Sequence, residues 1–586
     1  SSDFLNSKLT SNYFSNVFER YELYINLLMK MHKQSPNENY AIRALQAAEK
    51  SRARSMLENL RLSEANFNKD ADPETIRREK EIRNLHNLKA DKLTDALSRN
   101  SDQSEIQKLS DEIRILENEL EETKAELKQN SPIYSAIKNP EPFNTADFQD
   151  RVLDDATLLL EFSLGKNESF LWLIGKNFTE SYVLPPRAQI ESRVESLRIL
   201  IESRGMLKDE TIENYLARLT AAETLYAQEA QIFSDELLGQ IRDKIKEKRL
   251  IIVPDGKLHY FPIAALPLPH SNDNQPILLS NEIIYEPSAS MLTLLIQTER
   301  QQSAATKNLL VFSDPIFSIQ DERIVNQARN KTAPETTSIQ PEKLNFAQSL
   351  SSLSRLNASQ AEADSIVQII GDSASAAFTG AAATREQFLS QPVSEYKIIH
   401  FATHGLIDEA HPQLSGIVLS QFTETGETRN GVLRLQDIYG LNLAADLVVL
   451  SACETGIGKE VKGEGLASLN NAFMQVGAKS VLSSLWKVDD YATVELMKHF
   501  YKSLADGDLS AAQALRQAQI KLRENPRYQS PFFWAAFNVQ GNFHKIVVNK
   551  PFAIGYWWFS AVLFLAVAII LATKYRKKAV RAVIGS

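Results

Sequence analysis

The chain has 586 residues, of which 43% are hydrophobic and 24% charged, and this composition excludes a disordered or collagen-like protein. A formal net charge of −8 argues against nucleic acid as the main partner, because phosphate binding needs a basic face. The single cysteine excludes an internal disulfide framework.

Small residues recur along one helical face between Ala41 and Ala53 and let helices pack closely. The stretch Tyr40–Arg54 resembles the last unit of a tetratricopeptide-type array, and such units bury a core only against neighbours. We therefore predict that residues 1–65 are a helical end unit, that further repeats precede Ser1, and that this region recruits a protein partner.

Residues 66–130 carry the pattern of an antiparallel coiled-coil hairpin. Apolar residues between Ile106 and Leu127 recur at steps of three and four, which is a heptad seam. The matching face of the preceding helix consists of Ile82, Leu85, Leu88, Leu93 and Leu97. Only a short polar link separates the two segments, so we predict two helices that fold back on each other.

An α/β pattern begins after the hairpin, in residues 131–302. Strands are predicted at 158–162, 170–174 and 250–254, with long helices between 187 and 246. Strands that alternate with helices indicate a mostly parallel sheet. Because no histidine of this half stands near a cysteine or serine that could complete a catalytic pair, we predict an inactive half.

Residues 303–354 are rich in Ser, Gln, Asn and Thr and are interrupted by prolines, which is typical of a linker or surface loop. A second α/β pattern fills residues 355–548. Its strands are predicted at 396–402, 416–420, 447–452, 479–485 and 532–537. Two successive α/β halves, with candidate catalytic residues only in the second, indicate a duplicated fold whose first copy is a scaffold.

The stretch Ile554–Thr573 has 20 residues without a charge, which is long enough to cross a bilayer core. Aromatic residues stand at its start and basic residues follow it. The positive-inside rule then predicts a single-pass membrane protein. Residues 549–586 would supply one transmembrane helix and a cytoplasmic basic tail, with the rest of the chain on the extracytoplasmic side.

The only cysteine, Cys453, follows the apolar run Leu447–Leu450, which predicts a strand buried on both faces of a parallel sheet. His404 closes another strand-like run and is followed by Gly405. Two neighbouring strand ends could bring the imidazole beside the thiol, where α/β sheets place their ligands. Cys453 follows His404 by 49 residues, close to the roughly 50-residue interval of caspases.

These residues have two other interpretations. A lone cysteine is often a small buried hydrophobe. A zinc site made by His400, His404 and Cys453 is disfavoured, because positions i and i+4 of a strand lie roughly 13 Å apart. The sequence also lacks a nucleotide-binding loop and a serine-hydrolase elbow, so we expect neither a metal nor another cofactor.

A nucleophilic cysteine acts as a thiolate, which an adjacent histidine can generate. His404 is the candidate general base, and later the acid that protonates the leaving amine. The backbone N–H groups of Gly405 and Cys453 are candidate oxyanion donors, because both stand at strand ends. The candidates to orient the imidazole are Asp408, Glu454 and Glu464. The sequence does not choose among these three.

Six stretches, in order along the chain, resemble the CHAT domain. They are HFATHG (400–405), LSGIVLS (414–420), DLVVLSACETG (446–456), GEGLASL (463–469), SLWKVDD (484–490) and SPFFWAAFNVQG (530–541). The resemblance extends over about residues 131–543. CHAT proteases are caspase-like cysteine peptidases of the same clan as separase, and they are often attached to tetratricopeptide repeats.

This resemblance implies an α/β caspase-like fold in which an active half follows a pseudo-caspase-like half. It also implies that His404 is the catalytic histidine and Cys453 the nucleophile, and that His400 has no role in proton transfer. In separase, a similar tryptophan-containing block ends in an aspartate that receives a basic P1 side chain. The corresponding residue is Asp490, with Asp489 beside it, and helix N-capping is the alternative role for this pair.

The sequence as a whole predicts a membrane-anchored, caspase-like cysteine endopeptidase with a His-Cys dyad. Its substrate would be a partner protein, cleaved after a basic residue if Asp490 has the role that the resemblance implies. The alternative is a non-catalytic CHAT and tetratricopeptide scaffold that binds proteins at the membrane.

Overall fold

The structure is a computed structural model that describes residues 20–52, 73–98, 101–129, 143–207, 210–271, 273–298, 305–329, 353–371, 374–406, 414–451, 459–461, 465–467, 469–548 and 566–573. The chain divides into two compact units, Ser1–Val548 and Asn549–Ser586. The first unit contains both predicted α/β halves.

The strands of the first unit are β1 (Thr157–Ser163), β2 (Ser169–Gly175), β3 (Phe178–Leu184), β4 (Arg249–Val253), β5 (Glu282–Tyr285), β6 (Lys307–Ser313), β7 (Ser375–Thr379), β8 (Tyr396–Ala402), β9 (His404–Leu406), β10 (Gly416–Val418), β11 (Val432–Arg434), β12 (Leu447–Leu450), β13 (Lys459–Val461), β14 (Gly465–Ala467), β15 (Ser480–Ser484) and β16 (Phe537–Gly541). An 11-stranded sheet runs in the order β3-β2-β1-β4-β5-β16-β15-β12-β8-β6-β7. The smaller sheets have the orders β11-β10-β9 and β13-β14.

The direction of the large sheet reverses in its middle. Strands β1, β4, β5 and β16 are parallel, β16 pairs antiparallel with β15, and β15, β12, β8, β6 and β7 are again parallel to one another. The carboxyl ends of the strands in the first half therefore lie at one rim of the sheet, and those of the second half lie at the opposite rim.

Helices cover both faces of this sheet. Their bounds are 20–34, Tyr40–Ser51, Pro73–Ser98, Gln103–Gln129, Thr145–Arg151, Arg187–Glu202, Ile212–Leu238, Arg242–Ile245, Ala289–Thr298, Glu322–Arg329, Ser359–Ile370, Arg385–Leu389, Leu435–Tyr439, Leu469–Gln475, Asp490–Gly507, Ala511–Arg523 and Pro531–Trp534. One continuous core joins the two halves on one face. Two separate cores lie on the other face, one under each half. Because both faces are covered, strands such as β12 are apolar at every position, as the sequence pattern predicted.

The two long helices Pro73–Ser98 and Gln103–Gln129 form the predicted hairpin. The buried face of the first helix includes His86 and Ala90, whereas Leu85 and Leu88 of the predicted seam are 44% and 58% exposed. The reason is that the hairpin packs against the three-stranded sheet as well as on itself, through a core that includes Leu93, Leu109, Val418 and Val432.

Two segments differ from the sequence prediction. The stretch predicted as a linker, 303–354, contains β6 and the helix Glu322–Arg329, and β6 is buried between β8 and β7. The last strand, predicted at 532–537, begins only at Phe537, because Pro531 starts a short helix over Pro531–Trp534.

The predicted transmembrane helix at 554–573 is corrected by the structure. In the described part of the chain, no helix is both long enough and apolar enough to cross a bilayer. Of the predicted stretch, only residues 566–573 are described, and the rest lies outside the described residues. The single-pass localisation and the orientation that were predicted from this helix are corrected with it.

Candidate active site

His404 stands where β8 ends. It begins β9, which pairs antiparallel with β10 so that His404 lies opposite Val418. The hydroxyl of the intervening Thr403 donates a hydrogen bond to the Val418 carbonyl and ties the turn to β10. The His404 side chain is buried, and its ring centroid lies 4.8 Å from that of Phe317. The imidazole is thus held at the carboxyl rim of the second half.

The backbone carbonyl of Ser354 orients this imidazole. The His404 Nε2 atom lies 2.8 Å from the Ser354 oxygen. A carbonyl oxygen only accepts hydrogen bonds, so Nε2 must carry the hydrogen, and Nδ1 of the neutral ring keeps a free lone pair. Burial lowers the pKa of His404, the bond to Ser354 opposes this shift, and Lys487 adds to it. The ring is therefore suited to accept a proton at Nδ1.

An ion-pair cluster holds the Ser354 segment in place. The Arg355 guanidinium donates two hydrogen bonds to the Asp314 carboxylate, from Nε to Oδ1 at 2.9 Å and from Nη2 to Oδ2 at 2.8 Å. Arg323 also donates to Asp314 Oδ2, at 2.7 Å. Asp314 directly follows β6, is buried and has a φ of +47°. The carbonyl that orients His404 is thereby tied to the neighbouring strand of the sheet.

The strand before Cys453 lies beside the strand before His404. In the parallel pairing of β12 with β8, Leu450 is opposite Phe401 and Val449 is opposite His400. Residue 451 therefore leaves the sheet next to residue 402, at the same rim as His404. Residues 452–458, including Cys453, lie outside the described residues. The contact between Cys453 and His404 stays a prediction.

The two predicted specificity carboxylates have different positions. Asp489 is the N-cap of the helix Asp490–Gly507, where its Oδ1 accepts from the Ala492 N–H at 2.9 Å. Asp490 instead lines a pocket at the rim. The residues around this pocket are Leu356, Ala358, Ser359, Glu362, Thr403, Ser451, Val488, Asp490 and Thr493. Burial raises the pKa of Asp490, and the nearby Asp489 raises it further.

Of the other predicted site residues, the structure describes Gly405 and does not describe the three acidic residues. Gly405 lies in β9 opposite Ile417, and its role as an oxyanion donor stays a prediction. The three proposed orienting residues, Asp408, Glu454 and Glu464, lie outside the described residues. Within the described ranges, no three His, Cys, Asp or Glu side chains converge on a metal site. Since Cys453 is not among them, the expectation of a metal-free site stays a prediction.

Sequence reasoning did not find the residues that support the site. A backbone carbonyl such as that of Ser354 has no sequence signature. Asp314 lies inside the stretch that is predicted as a linker, Arg355 directly follows it, and Glu362 is one of many helical glutamates. A charged residue directly after a buried strand, as in Phe312-Ser313-Asp314, was the one available signal.

The fold and the described site together define an α/β protein with a buried, oriented histidine at the rim of a mostly parallel sheet. The model of the CHAT domain family matches residues 219–542, which is more than half of the chain. The chain therefore belongs to the CHAT domain family.

The curated relatives and the solved structure below have low sequence identity to this chain. Tetratricopeptide repeat protein 28 of Mus musculus is 28% identical over 206 residues, covering 29% of this chain and 8% of that protein. The Homo sapiens protein of the same name is 25% identical over 337 residues, covering 52% of this chain and 12% of that protein. The chain thus spans a small part of these relatives. The separase-securin complex of Saccharomyces cerevisiae matches with a TM-score of 0.43 and 10% identity, over 81% of this chain and 38% of that one.

Proposed function

We propose that this chain is a cysteine endopeptidase that cleaves a partner protein, with His404 as general base and Cys453 as nucleophile. The observation that carries the proposal is the His404 imidazole, which is buried at the carboxyl rim beside β12 and fixed by the Ser354 carbonyl with Nδ1 as its acceptor nitrogen. This tautomer leaves Nδ1 as the nitrogen that can accept the proton of a thiol.

The proposed reaction follows from this tautomer. Nδ1 of His404 takes the proton of the Cys453 thiol, and the thiolate attacks the carbonyl carbon of the scissile bond. The backbone N–H groups of Gly405 and Cys453 are the proposed donors to the oxyanion. The imidazolium then gives its proton to the leaving amine, which leaves an acyl-enzyme that water hydrolyses through the same histidine.

The proposed substrate has a basic P1 residue. Asp490 lines the pocket next to Thr403 and Ser451, the residues that follow β8 and β12. A carboxylate in that position pairs with the cation of an arginine or lysine side chain. The helices of residues 20–51 and the hairpin are the proposed surfaces for a protein partner.

Replacement of the two dyad residues tests the proposal. Cys453→Ala and His404→Ala should each lower cleavage of a peptide library by a factor on the order of 10³ or more, with unchanged circular dichroism. His270→Asn is a matched control, because His270 is exposed and has a φ of +51°, which asparagine tolerates. If either dyad variant cleaves at the wild-type rate, the assignment is wrong.

A non-catalytic scaffold is the second candidate, and the relatives that are named as tetratricopeptide repeat proteins favour it. A peptidyl acyloxymethyl ketone separates the two functions, since it alkylates an activated thiolate. Labelling of the full chain at Cys453 that His404→Ala abolishes supports the peptidase. Labelling at the slow rate of an ordinary thiol, equal in both proteins, supports the scaffold.

A further inference from the structure

His400 is the one histidine of the HFATHG stretch that the proposed reaction does not use. It lies on β8 and is fully buried. Its Nδ1 lies 2.9 Å from the Tyr501 hydroxyl oxygen, and its Nε2 lies 3.0 Å from Oε1 of Glu362. A carboxylate oxygen faces Nε2 favourably only if that nitrogen carries the ring hydrogen, so Nδ1 accepts the hydrogen of the Tyr501 hydroxyl.

Glu362 is a buried carboxylate at the wall of the pocket that contains Asp490. It lies in the first turn of the helix Ser359–Ile370, where the helix dipole favours negative charge, and it is 4% exposed. The contact with His400 is short but is not aligned as a hydrogen bond, and Oε1 has no aligned donor in the described part of the chain. A buried oxygen without a donor costs free energy, which a ligand with N–H groups can recover.

The remaining walls of the pocket combine apolar side chains with one hydroxyl. Leu356, Ala358 and Val488 are apolar, while the buried Ser451 hydroxyl has no hydrogen-bond partner among the described residues. The negative charge of Glu362 acts on Asp490 and raises its pKa, so the two carboxylates share one electrostatic environment. Such an arrangement suits an aliphatic stem that ends in a group with many donors.

We propose that Glu362 is a second specificity residue, which together with Asp490 binds the guanidinium group of a P1 arginine. His400 is the proposed positioning residue through its 3.0 Å contact with Oε1 of Glu362, and Tyr501 is proposed to act through the His400 ring. A guanidinium has five N–H donors in a planar fork, whereas an ammonium has three on one atom, so two carboxylates and a hydroxyl favour arginine over lysine. This inference rests on the proposed function, because it makes the pocket a substrate subsite.

Binding to the full chain that carries Cys453→Ala tests the inference without catalysis. The probes are acetyl-Ala-Ala-Arg-amide and the corresponding lysine and citrulline peptides, measured by isothermal titration calorimetry. Citrulline keeps the shape of arginine but has no charge. We expect arginine to bind about tenfold tighter than lysine, and citrulline to bind weakest.

The substitutions Glu362→Gln and Asp364→Asn form a matched pair on one helix. Asp364 is exposed, so its replacement changes the charge by the same amount away from the pocket. Glu362→Gln should weaken the arginine peptide by a factor of about ten to a hundred and abolish the preference over lysine, whereas Asp364→Asn should leave both unchanged. Equal loss in the two variants, or unchanged arginine binding in Glu362→Gln, would overturn the inference.

Tyr501→Phe tests the positioning role, because it removes one hydroxyl and keeps the buried ring. The arginine to lysine affinity ratio should fall several-fold while citrulline binding stays the same, a pattern that a general loss of stability would not produce. A ratio equal to that of the Cys453→Ala parent removes His400 and Tyr501 from the proposal.

Cleavage assays keep the two proposals distinguishable. Suppose that a chain with Cys453 intact binds the arginine peptide with the expected selectivity but cleaves nothing. This result contradicts the proposed peptidase activity and supports the proposed arginine subsite. A chain that cleaves after arginine and leucine alike, with no effect of Glu362→Gln, contradicts the pocket and leaves the peptidase standing. Absence of binding of all three peptides also overturns the pocket.

Discussion

The carboxyl ends of the strands have different surroundings in the two halves of the large sheet. In the first half, the rim is filled by the N-terminal helix Tyr40–Ser51 and the residue after it. Glu49 accepts hydrogen bonds from the N–H groups of Ala289 and Ser290, at 2.9 and 2.8 Å, and thus caps the helix that follows β5. Arg52 donates to the Phe162 carbonyl and lies 3.9 Å from the buried Glu161.

In the second half, the described residues of the rim surround a pocket. Glu362 and Ser451 line this pocket, each with a buried oxygen that has no aligned donor among the described residues. The first rim is therefore covered by a segment of its own chain, although the buried carboxylates of Glu161 and Glu286 also have oxygens without an aligned donor among the described residues. The comparison teaches that the difference between the two rims lies in which segment covers the strand ends, and not in the number of unpaired polar atoms.

The largest effect should follow the loss of charge at Asp314. Asp314→Asn keeps a residue that tolerates a positive φ but removes the buried carboxylate that Arg323 and Arg355 share. Among the described residues, Arg323 then keeps only the Asp321 carboxylate, and Arg355 only that of the exposed Glu322. We expect the free energy of unfolding to fall by about 3 kcal/mol and kcat/KM to fall more than tenfold, because the Ser354 carbonyl no longer holds His404. Chemical denaturation and peptide cleavage measure the two quantities.

Asp255→Asn is the control for this experiment in the first half. Asp255 follows β4 as Asp314 follows β6, and it accepts from the Leu164 N–H at 2.6 Å and pairs with Arg187. Stability should fall while kcat/KM of the folded protein stays the same. If both variants lose activity equally, the contrast between the two rims does not hold.

The next effect concerns the filled rim. Glu49→Ala leaves two buried N–H groups at the start of the helix Ala289–Thr298 without an acceptor. We expect a loss of about 2 kcal/mol in unfolding free energy, measured by chemical denaturation, with no change in the arginine to lysine ratio. A change in that ratio without a loss of stability would show that the first rim takes part in substrate recognition.

A smaller effect separates the two neighbouring aspartates of the second half. Asp489→Ala removes the N-cap of the helix Asp490–Gly507 and should cost about 1 kcal/mol of stability. It should leave the preference for a basic P1 residue intact, whereas Asp490→Ala should remove it. Cleavage of matched arginine and leucine peptides gives the answer, and a reversed outcome would exchange the roles of the two residues.

The smallest expected effect is a shift in the pKa of His404. The pKa of His404 is lowered, chiefly by burial, so the ring stays neutral to below its ordinary value of 6.5. The unfolded chain then binds the proton more readily, and this histidine makes the fold less stable as the pH falls through 6.5. Lys487→Gln should raise the pKa of His404 by a few tenths of a unit at low salt and less at high salt.

Carbon-13 labelling of histidine Cε1 allows this titration to be followed by NMR in the full chain, with His404→Ala to assign the signal. Lys502→Gln is the control, because Lys502 is exposed and does not contribute to the shift at His404. A signal that titrates at or above 6.5 in the wild-type chain would show that His404 is not shielded from water.

The order of strands and helices in the second half was predictable because its signals are local. An apolar run such as Leu447–Leu450 is typical of a strand in a sheet that is covered on both faces. The hairpin was predictable as two helices, but not its contact with the strand β10. That contact depends on residues far apart in sequence, so Leu85 and Leu88 of the predicted seam are exposed. The transmembrane prediction was wrong because a count of uncharged residues does not specify how a segment folds.

The candidate site was predictable only in the residues that carry chemistry. His404 could be named as a candidate because it closes a strand-like run, whereas Asp490 was named only through the resemblance to separase. The roles of both residues stay predictions. The Ser354 carbonyl, the cluster at Asp314 and the carboxylate of Glu362 depend on which segments the fold brings together. Backbone atoms and common helical residues acquire these roles from tertiary structure alone.

Strand β16 has a consequence for synthesis on the ribosome. It follows every other strand of the large sheet in chain order, yet it lies in the middle of that sheet, between β5 and β15. Until residue 541 has emerged, the two halves each present an unpaired strand edge, and such edges promote aggregation. A nascent chain therefore has no complete sheet to support the candidate site, and prematurely terminated products should be substrates for quality control.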